Sequence, residues 1–394
     1  MRLIKNSALL LLLLLSVGVF LEILFRTSIF PTNLPFKVRE KTKVQKTYVN
    51  GIKQLIPNQT IYAVDKANGT VKKEFVKYQI NCWGYSGKDF LMQKSKDELR
   101  VVILGGSHIF DINAFVSEGI NGFHQIVIDS FQAIGVNLNF INAGVHGQDI
   151  KNISARLTHE IPALKPDIVI INSTYNDLRW IPANDTVLLL ERVVDLNNSF
   201  QLNPLSDTLG FNPLESRYSR LDIYCGQSNL YRRVRDLYWL SRVMLWQKKY
   251  NDYINKQVKL NMKDKGFESY RSLLMQSISQ IRKMGAIPVL CIEERLMKAN
   301  PTPEMLKVHT PSWFPYQSTY DTIVADYEKA DSIISAVAVS NNIVLFNANK
   351  YLGGNKEMFS DNIHTSSLGS IKMGQEYYRL LLPLIQDSLL HKKN

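Results

Sequence analysis

Arg100-Val101-Val102-Ile103-Leu104-Gly105-Gly106-Ser107 is the stretch on which the fold turns. Residues 101–104 are apolar without alternation, as in a parallel strand covered on both faces. Gly105 and Gly106 then permit an abrupt turn, which leaves Ser107 at the start of a helix, where backbone N–H groups face an incoming oxyanion. Four more runs have the same character, at 138–141, 168–171, 287–292 and 343–346. Helical spacing separates them: Val116, Ile120, Phe123, Val127, Phe131 and Ile134 recur at three- and four-residue steps, as do Phe267, Tyr270, Leu274, Ile278 and Ile281. A third helix is expected over 320–339, and a last one over 367–390, bent at Pro383. Such alternation predicts a three-layer α/β domain over 99–390.

The pattern breaks at 181–266, an insertion far longer than an ordinary loop, which should carry its own helices and act as a lid or recognition surface. Upstream, 27–98 reads as a tether and a small irregular lead-in, with short strand-like runs broken at Asn50-Gly51 and Asn68-Gly69. Residues 1–26 differ in kind. Arg2 and Lys5 precede a nearly unbroken apolar run, about the ~20 residues a spanning helix needs. Glu22 and Arg26, four apart, are placed to pair on one helical face. A transmembrane signal anchor is the first reading, with the bulk of the chain outside the cytoplasm. A cleaved signal peptide is the alternative, but Ser16, Val17 and Gly18 make a poor cleavage site.

Composition fits a packed interior: 45% of residues are hydrophobic and 21% charged, so a disordered or fibrous chain is excluded. The formal charge of +12 is partly local. Residues 215–250 hold eight basic against three acidic side chains, interleaved with tyrosine and tryptophan. That mixture suits an anionic polymer or lipid headgroups, and it equally describes a solvated helical face. Nucleic acid is disfavoured by the anchor. The three cysteines, Cys82, Cys225 and Cys291, show no metal-ligand spacing, and no cofactor is implied. Cys291 reads as a small buried hydrophobe; a Cys82–Cys225 disulfide is open in an oxidising compartment.

Ligands of an open parallel sheet bind beyond the carboxyl ends of its strands. Four such positions here carry useful chemistry. Ser107 is a nucleophile or, alternatively, a cap. Asn142-Ala143-Gly144 brings a glycine N–H that can meet a carbonyl oxygen, or merely a turn. Asn176, in Tyr175-Asn176-Asp177, offers a neutral, directed amide donor, or a helix cap. Asp361 lies three residues before His364, so one tight turn can present the carboxylate to the ring N–H and the other ring nitrogen to a hydroxyl. His108 and His146 flank this cleft.

As an ordered set, Gly-Gly-Ser107, Asn-Ala-Gly144, Tyr-Asn176-Asp177 and Asp361-Asn-Ile-His364 resemble the four sequence blocks of the SGNH hydrolases, also called GDSL esterases and lipases. Asn81 to Gly87 and the Glu22-bearing anchor look like those of membrane-tethered bacterial members. The resemblance implies a flavodoxin-like sheet of order 2-1-3-4-5, Ser107 as nucleophile, Asp361 and His364 completing the triad, and the Ser107, Gly144 and Asn176 amides as oxyanion hole. It implies neither metal nor organic cofactor. The chain departs from the pattern at Gly106, where the family often has Asp, at Ile109 and Asp111, where Thr and Gly are frequent, and at Thr174 in place of Gly.

The expected activity is cleavage of carboxylic esters through an acyl-serine, on small acyl groups of a carbohydrate or other cell-envelope component. Acyl transfer to a sugar hydroxyl would use the same residues, and a catalytically silent anchored binding or assembly protein would use the insertion instead. An α/β-hydrolase is disfavoured because Ile109 occupies the second glycine position of its Gly-x-Ser-x-Gly elbow.

Overall fold

The computed structural model describes residues 2–24, 46–49, 52–64, 71–111, 122–179, 181, 263–308 and 320–393, together with 225, 228, 230, 231, 234, 237 and 238. Most of the insertion and of the basic segment 215–250 therefore lies outside the described residues, as do Arg26, Val116 and Ile120.

Five parallel strands form the central sheet. They are β5 (Leu99–Gly105), β6 (Leu138–Asn142), β7 (Ile168–Asn172), β8 (Ile287–Ile292) and β9 (Val344–Asn347), in the order β6-β5-β7-β8-β9. That is the expected 2-1-3-4-5 order, with the first strand inside the sheet because two flanking strands pair with it, Val101 against Phe140 on one side and Ile168 on the other. Alternate side chains of β5 feed two separate cores. Val102 and Leu104 pack with Ile153, Tyr270 and Ile323 of the helices α4 (Ile150–His159), α5 (Lys263–Lys283) and α6 (Tyr320–Ser340). Val101 and Ile103 pack with Phe123, Val127, Tyr377 and Leu381 of α3 (Gly122–Ala133) and α7 (Ser367–Lys393). Burial on both faces is why these strands read as continuous apolar runs. Ile134, expected on the apolar face of its helix, is instead half-exposed, because α3 ends at Ala133 and the chain turns there. Pro383 does lie inside α7.

The lead-in holds short strands, in keeping with its strand-like runs. Strands β1 (Lys46–Val49) and β2 (Ile52–Leu55) form one antiparallel pair, β3 (Gln59–Val64) and β4 (Val71–Ile80) another. Beyond β4, Asn81 accepts the Trp83 and Tyr85 N–H groups and donates to the Lys88 carbonyl, so it closes the 81–88 loop on itself. Ser86 then donates its N–H to the Asn142 carbonyl at 3.2 Å, which fastens this loop to the end of β6.

Residues Arg2–Leu24 form the helix α1. Glu22 accepts hydrogen bonds from Ser228 Oγ and the Leu230 N–H, each at 2.8 Å, so its described partners lie in the insertion, whereas its expected partner Arg26 is outside the described residues. Among the described residues no helix is long and apolar enough to cross a membrane; for α1 that leaves aside the side chains of residues 2–6, 8, 9 and 11. Cys82, Cys225 and Cys291 are all free thiols, so the Cys82–Cys225 disulfide is absent.

Candidate active site

Beyond the carboxyl end of β5, Ser107 begins a single-turn helix, α2 (Ser107–Phe110). At the far end of the chain a tight turn precedes α7, closed by the Ser360 N–H donating to the His364 carbonyl at 2.8 Å. Asp361 organises that turn. Its Oδ1 accepts the Ile363 and His364 N–H groups at 2.9 and 2.8 Å, while its Oδ2 meets His364 Nδ1 at 2.6 Å. With Nδ1–H donated to the carboxylate, His364 Nε2 is left as an acceptor, and it lies 2.7 Å from Ser107 Oγ. Burial works to raise the Asp361 pKa, but the hydrogen bond and charge of His364 and the two backbone N–H donors outweigh it and hold the carboxyl below the usual range. Asp361 is therefore a carboxylate at neutral pH, able to accept the ring N–H.

Asn176 lies beside the Gly105-Gly106 turn that carries Ser107. Its Nδ2 donates to the Gln148 carbonyl at 2.9 Å, which uses one of its two hydrogens. A Cβ on Gly106 would stand 2.4 Å from that nitrogen, closer than any real contact, so the glycine next to the nucleophile is what lets the amide approach it.

Gly144 does not take the expected role. Its N–H donates to Asn142 Oδ1 at 3.0 Å, and a Cβ there would meet the Phe110 nitrogen at 2.4 Å. Its lack of a side chain serves the close packing of the β6 turn on α2, which Asn142 Nδ2 also binds through the Ile109 carbonyl at 2.7 Å. The segment holds a second glycine, Gly147, half-buried with φ at 71° and adjacent to Gln148, whose carbonyl receives the Asn176 amide. Gly147 is the better-placed glycine of the two, and the only sequence signal for it is a second glycine three residues after the first.

Two buried networks hold these turns. Arg156 donates to the Ala143 carbonyl at 2.5 Å and to Gln148 Oε1 at 2.9 Å, so one guanidinium spans the segment from Ala143 to Gln148. It is paired with Glu160 at 2.7 Å, and Glu160 in turn accepts from Tyr85 Oη at 2.7 Å and Gln54 Nε2 at 2.9 Å of the lead-in. On the other side, Asp177 accepts the Ile150 N–H at 2.9 Å, and Glu293 accepts the Tyr175 N–H at 3.1 Å, which bracket Asn176. No motif in the sequence singles out Arg156, Glu160 or Glu293.

Beneath the serine the charge is unusual. His108 is buried, with Nε2 3.6 Å from Glu293, and burial holds its pKa below the usual imidazole value. Glu294, also buried and beside Glu293, accepts from Asn172 Nδ2 at 3.1 Å and is pushed up to about 8 by burial first and the neighbouring carboxylate second. His146, by contrast, is half-buried and packs on Phe110 with ring centres 4.5 Å apart. Among the described residues no three His, Cys, Asp or Glu side chains are grouped to hold a metal ion.

No family model matches the chain, and no curated protein matches it. Among solved structures it is similar to an acetyl xylan esterase at 13% identity and a TM-score of 0.39, over 71% of this chain and 98% of that one. It is similar to an acetyl xylan esterase from Geobacillus stearothermophilus at 13% identity and 0.39, over 74% and 97%. A GDSL-like lipase from Bacteroides thetaiotaomicron follows at 14% identity and 0.37, over 76% and 93%. Identities and scores are low, and the chemistry is carried by distances within this chain.

Proposed function

We propose that this chain is a serine ester hydrolase of the SGNH, GDSL-like type, in which Ser107 attacks an acyl carbonyl and His364 and Asp361 manage the proton. The observation that carries the reading is the continuous line from Asp361 Oδ2 through the His364 ring to Ser107 Oγ, with separations of 2.6 and 2.7 Å, at the carboxyl end of a parallel sheet and beside the Asn176 amide. In the first half-reaction Ser107 Oγ bonds to the carbonyl carbon as its proton passes to His364 Nε2. The oxyanion forms where Asn176 and the first N–H groups of α2 can donate. Collapse breaks the ester C–O bond, and His364 returns the proton to the departing alkoxide. Water then repeats the sequence on the acyl-serine and releases the acid.

The substrates proposed are small acyl groups esterified to a carbohydrate or another envelope component. That choice rests on the proposed location: α1 as a single-pass anchor with the catalytic domain outside the cytoplasm. What supports an anchor is the character of its described side chains, since residues 12–15, 17, 19, 20 and 23 are apolar and exposed. The basic, aromatic segment 215–250 would then meet anionic lipid headgroups or an anionic polymer.

A fluorophosphonate probe tests the chemistry directly. Wild type should be labelled and Ser107→Ala should not; a folded wild type that stays unlabelled overturns the proposal. Turnover of acetyl against longer acyl esters then measures the acyl preference.

A further inference from the structure

The proposed nucleophile and base come from parts of the chain more than 250 residues apart, and one buried carboxylate bridges them. Asp111 follows α2 in the left-handed conformation, φ 62° and ψ 50°, and its N–H closes the helix on the Ser107 and His108 carbonyls at 3.2 Å. Its side chain points across to the other partner. Oδ1 accepts from Thr365 Oγ1 at 3.1 Å, the residue next to His364, and Oδ2 accepts from Ser370 Oγ in the first turn of α7. The Phe123 N–H at the start of α3 donates to Oδ2 at 3.0 Å. Asp111 is thus four residues from the proposed nucleophile and, through a single hydroxyl, one residue from the proposed base. The resemblance noted above has glycine here, a residue suited to positive φ but without a side chain to make any of these bonds.

We propose that Asp111 is a positioning residue, which clamps the His364 turn onto the Ser107 helix and so fixes the distance between hydroxyl and imidazole. The proposal rests on the serine-hydrolase reading. Other bonds hold the turn to the body of the protein, including the Leu296 N–H to the Asn362 carbonyl at 2.9 Å and the Ser366 N–H to the Met358 carbonyl at 2.9 Å. Loss of the clamp should therefore shift the turn without unfolding the domain. Asparagine tolerates the same backbone conformation, keeps one acceptor, and can donate its amide to a hydroxyl oxygen.

The test uses the full chain with a chromogenic acetyl ester and thermal melting in parallel. Asp111→Ala should lose about 10²-fold in kcat, as expected for a misplacement near 1 Å, with KM changed less than about twofold. Thr365→Val, which removes only the hydroxyl, should lose about tenfold in kcat, and Asp111→Asn should recover most of the wild-type rate. A kcat within about twofold of wild type in Asp111→Ala overturns the clamp. So does an Asp111→Asn variant that melts like wild type yet is as slow as Asp111→Ala. Should Asp111→Ala fail to fold, unchanged kcat in a Thr365→Val, Ser370→Ala double variant overturns it equally. If folded wild type neither turns over nor takes the fluorophosphonate, the hydrolase reading falls. The clamp is then judged on a crystal structure of Asp111→Ala, where a Ser107–His364 distance still near hydrogen-bond length overturns it and one beyond about 3.5 Å supports it.

Discussion

At the residue scale the site depends on small differences in reach. Gly106 and Asn176 are in contact, since a Cβ on the first would stand 2.4 Å from the amide nitrogen of the second. Gly106→Ala should therefore act through Asn176, and each single substitution should lower kcat by about 10²-fold, the cost of losing one oxyanion donor. Because both losses have one cause, the double variant should be no slower than the slower single variant. Multiplying losses in steady-state kinetics would mean that Gly106 serves something else. Asp361→Asn tests the other side of the imidazole. An amide in place of the carboxylate can hold the ring in the wrong tautomer, with Nε2 protonated toward Ser107, and kcat should fall by about 10³- to 10⁴-fold with the fold intact. A loss under tenfold would show that Asp361 only shapes the turn through its bonds to the Ile363 and His364 N–H groups.

At the scale of elements, what is legible in the sequence is what local chemistry dictates. Strands buried on both faces must be apolar throughout, so their runs give away the sheet and its edge, and Asp361 and His364 share one turn because three residues span no more. What escapes depends on contacts distant in sequence. Gly144 departs from its motif because the Asn142 side chain captures its N–H, a choice made by packing against α2. Glu293 and Glu294 do not stand out because acidic residues after a strand ordinarily face water. The short strands of the lead-in are legible as runs between Asn-Gly pairs, but its hold on the domain is not, because its bonds to Glu160 cross 75 and 106 residues. Those bonds give the lead-in a structural role. Tyr85 and Gln54 steady Glu160, Glu160 steadies Arg156, and Arg156 holds the Ala143–Gln148 turn. Tyr85→Phe should then destabilise the protein by about 2 kcal/mol in urea unfolding, the usual worth of a hydrogen bond to a charged group. Arg156→Met should cost more, about 3 kcal/mol, since it leaves a half-buried carboxylate without its cation and the Ala143 and Gln148 acceptors without a donor. Stability unchanged in Tyr85→Phe would reduce the lead-in to a spacer.

At the scale of the whole molecule, the buried ionisable groups near the sheet's carboxyl edge make stability depend on pH in a direction that can be worked out. Burial raises Glu294 from an ordinary 4.5 to about 8, so between those values the folded protein keeps a proton that the unfolded chain has lost. The folded state then binds more protons, and stability must fall as pH rises through that window, by roughly 1.4 kcal/mol per pH unit for one proton. Asp177, raised chiefly by burial and then by Asp149, acts in the same direction. Two histidines oppose them: burial lowers His124 to about 4 and His108 below 6.5, so each favours folding more as pH rises toward 6.5. As pH rises past 6.5 the unfolded chain loses those two protons as well, and the opposition fades over about one pH unit. The wild-type urea midpoint should accordingly decline from pH 6.5 to pH 8. Glu294→Gln carries a neutral amide with the same reach toward Asn172 and has no proton to lose, so its midpoint should decline less over the same interval. A wild-type midpoint that stays level from 6.5 to 8, or a Glu294→Gln midpoint that falls just as steeply, would place the proton on some other group.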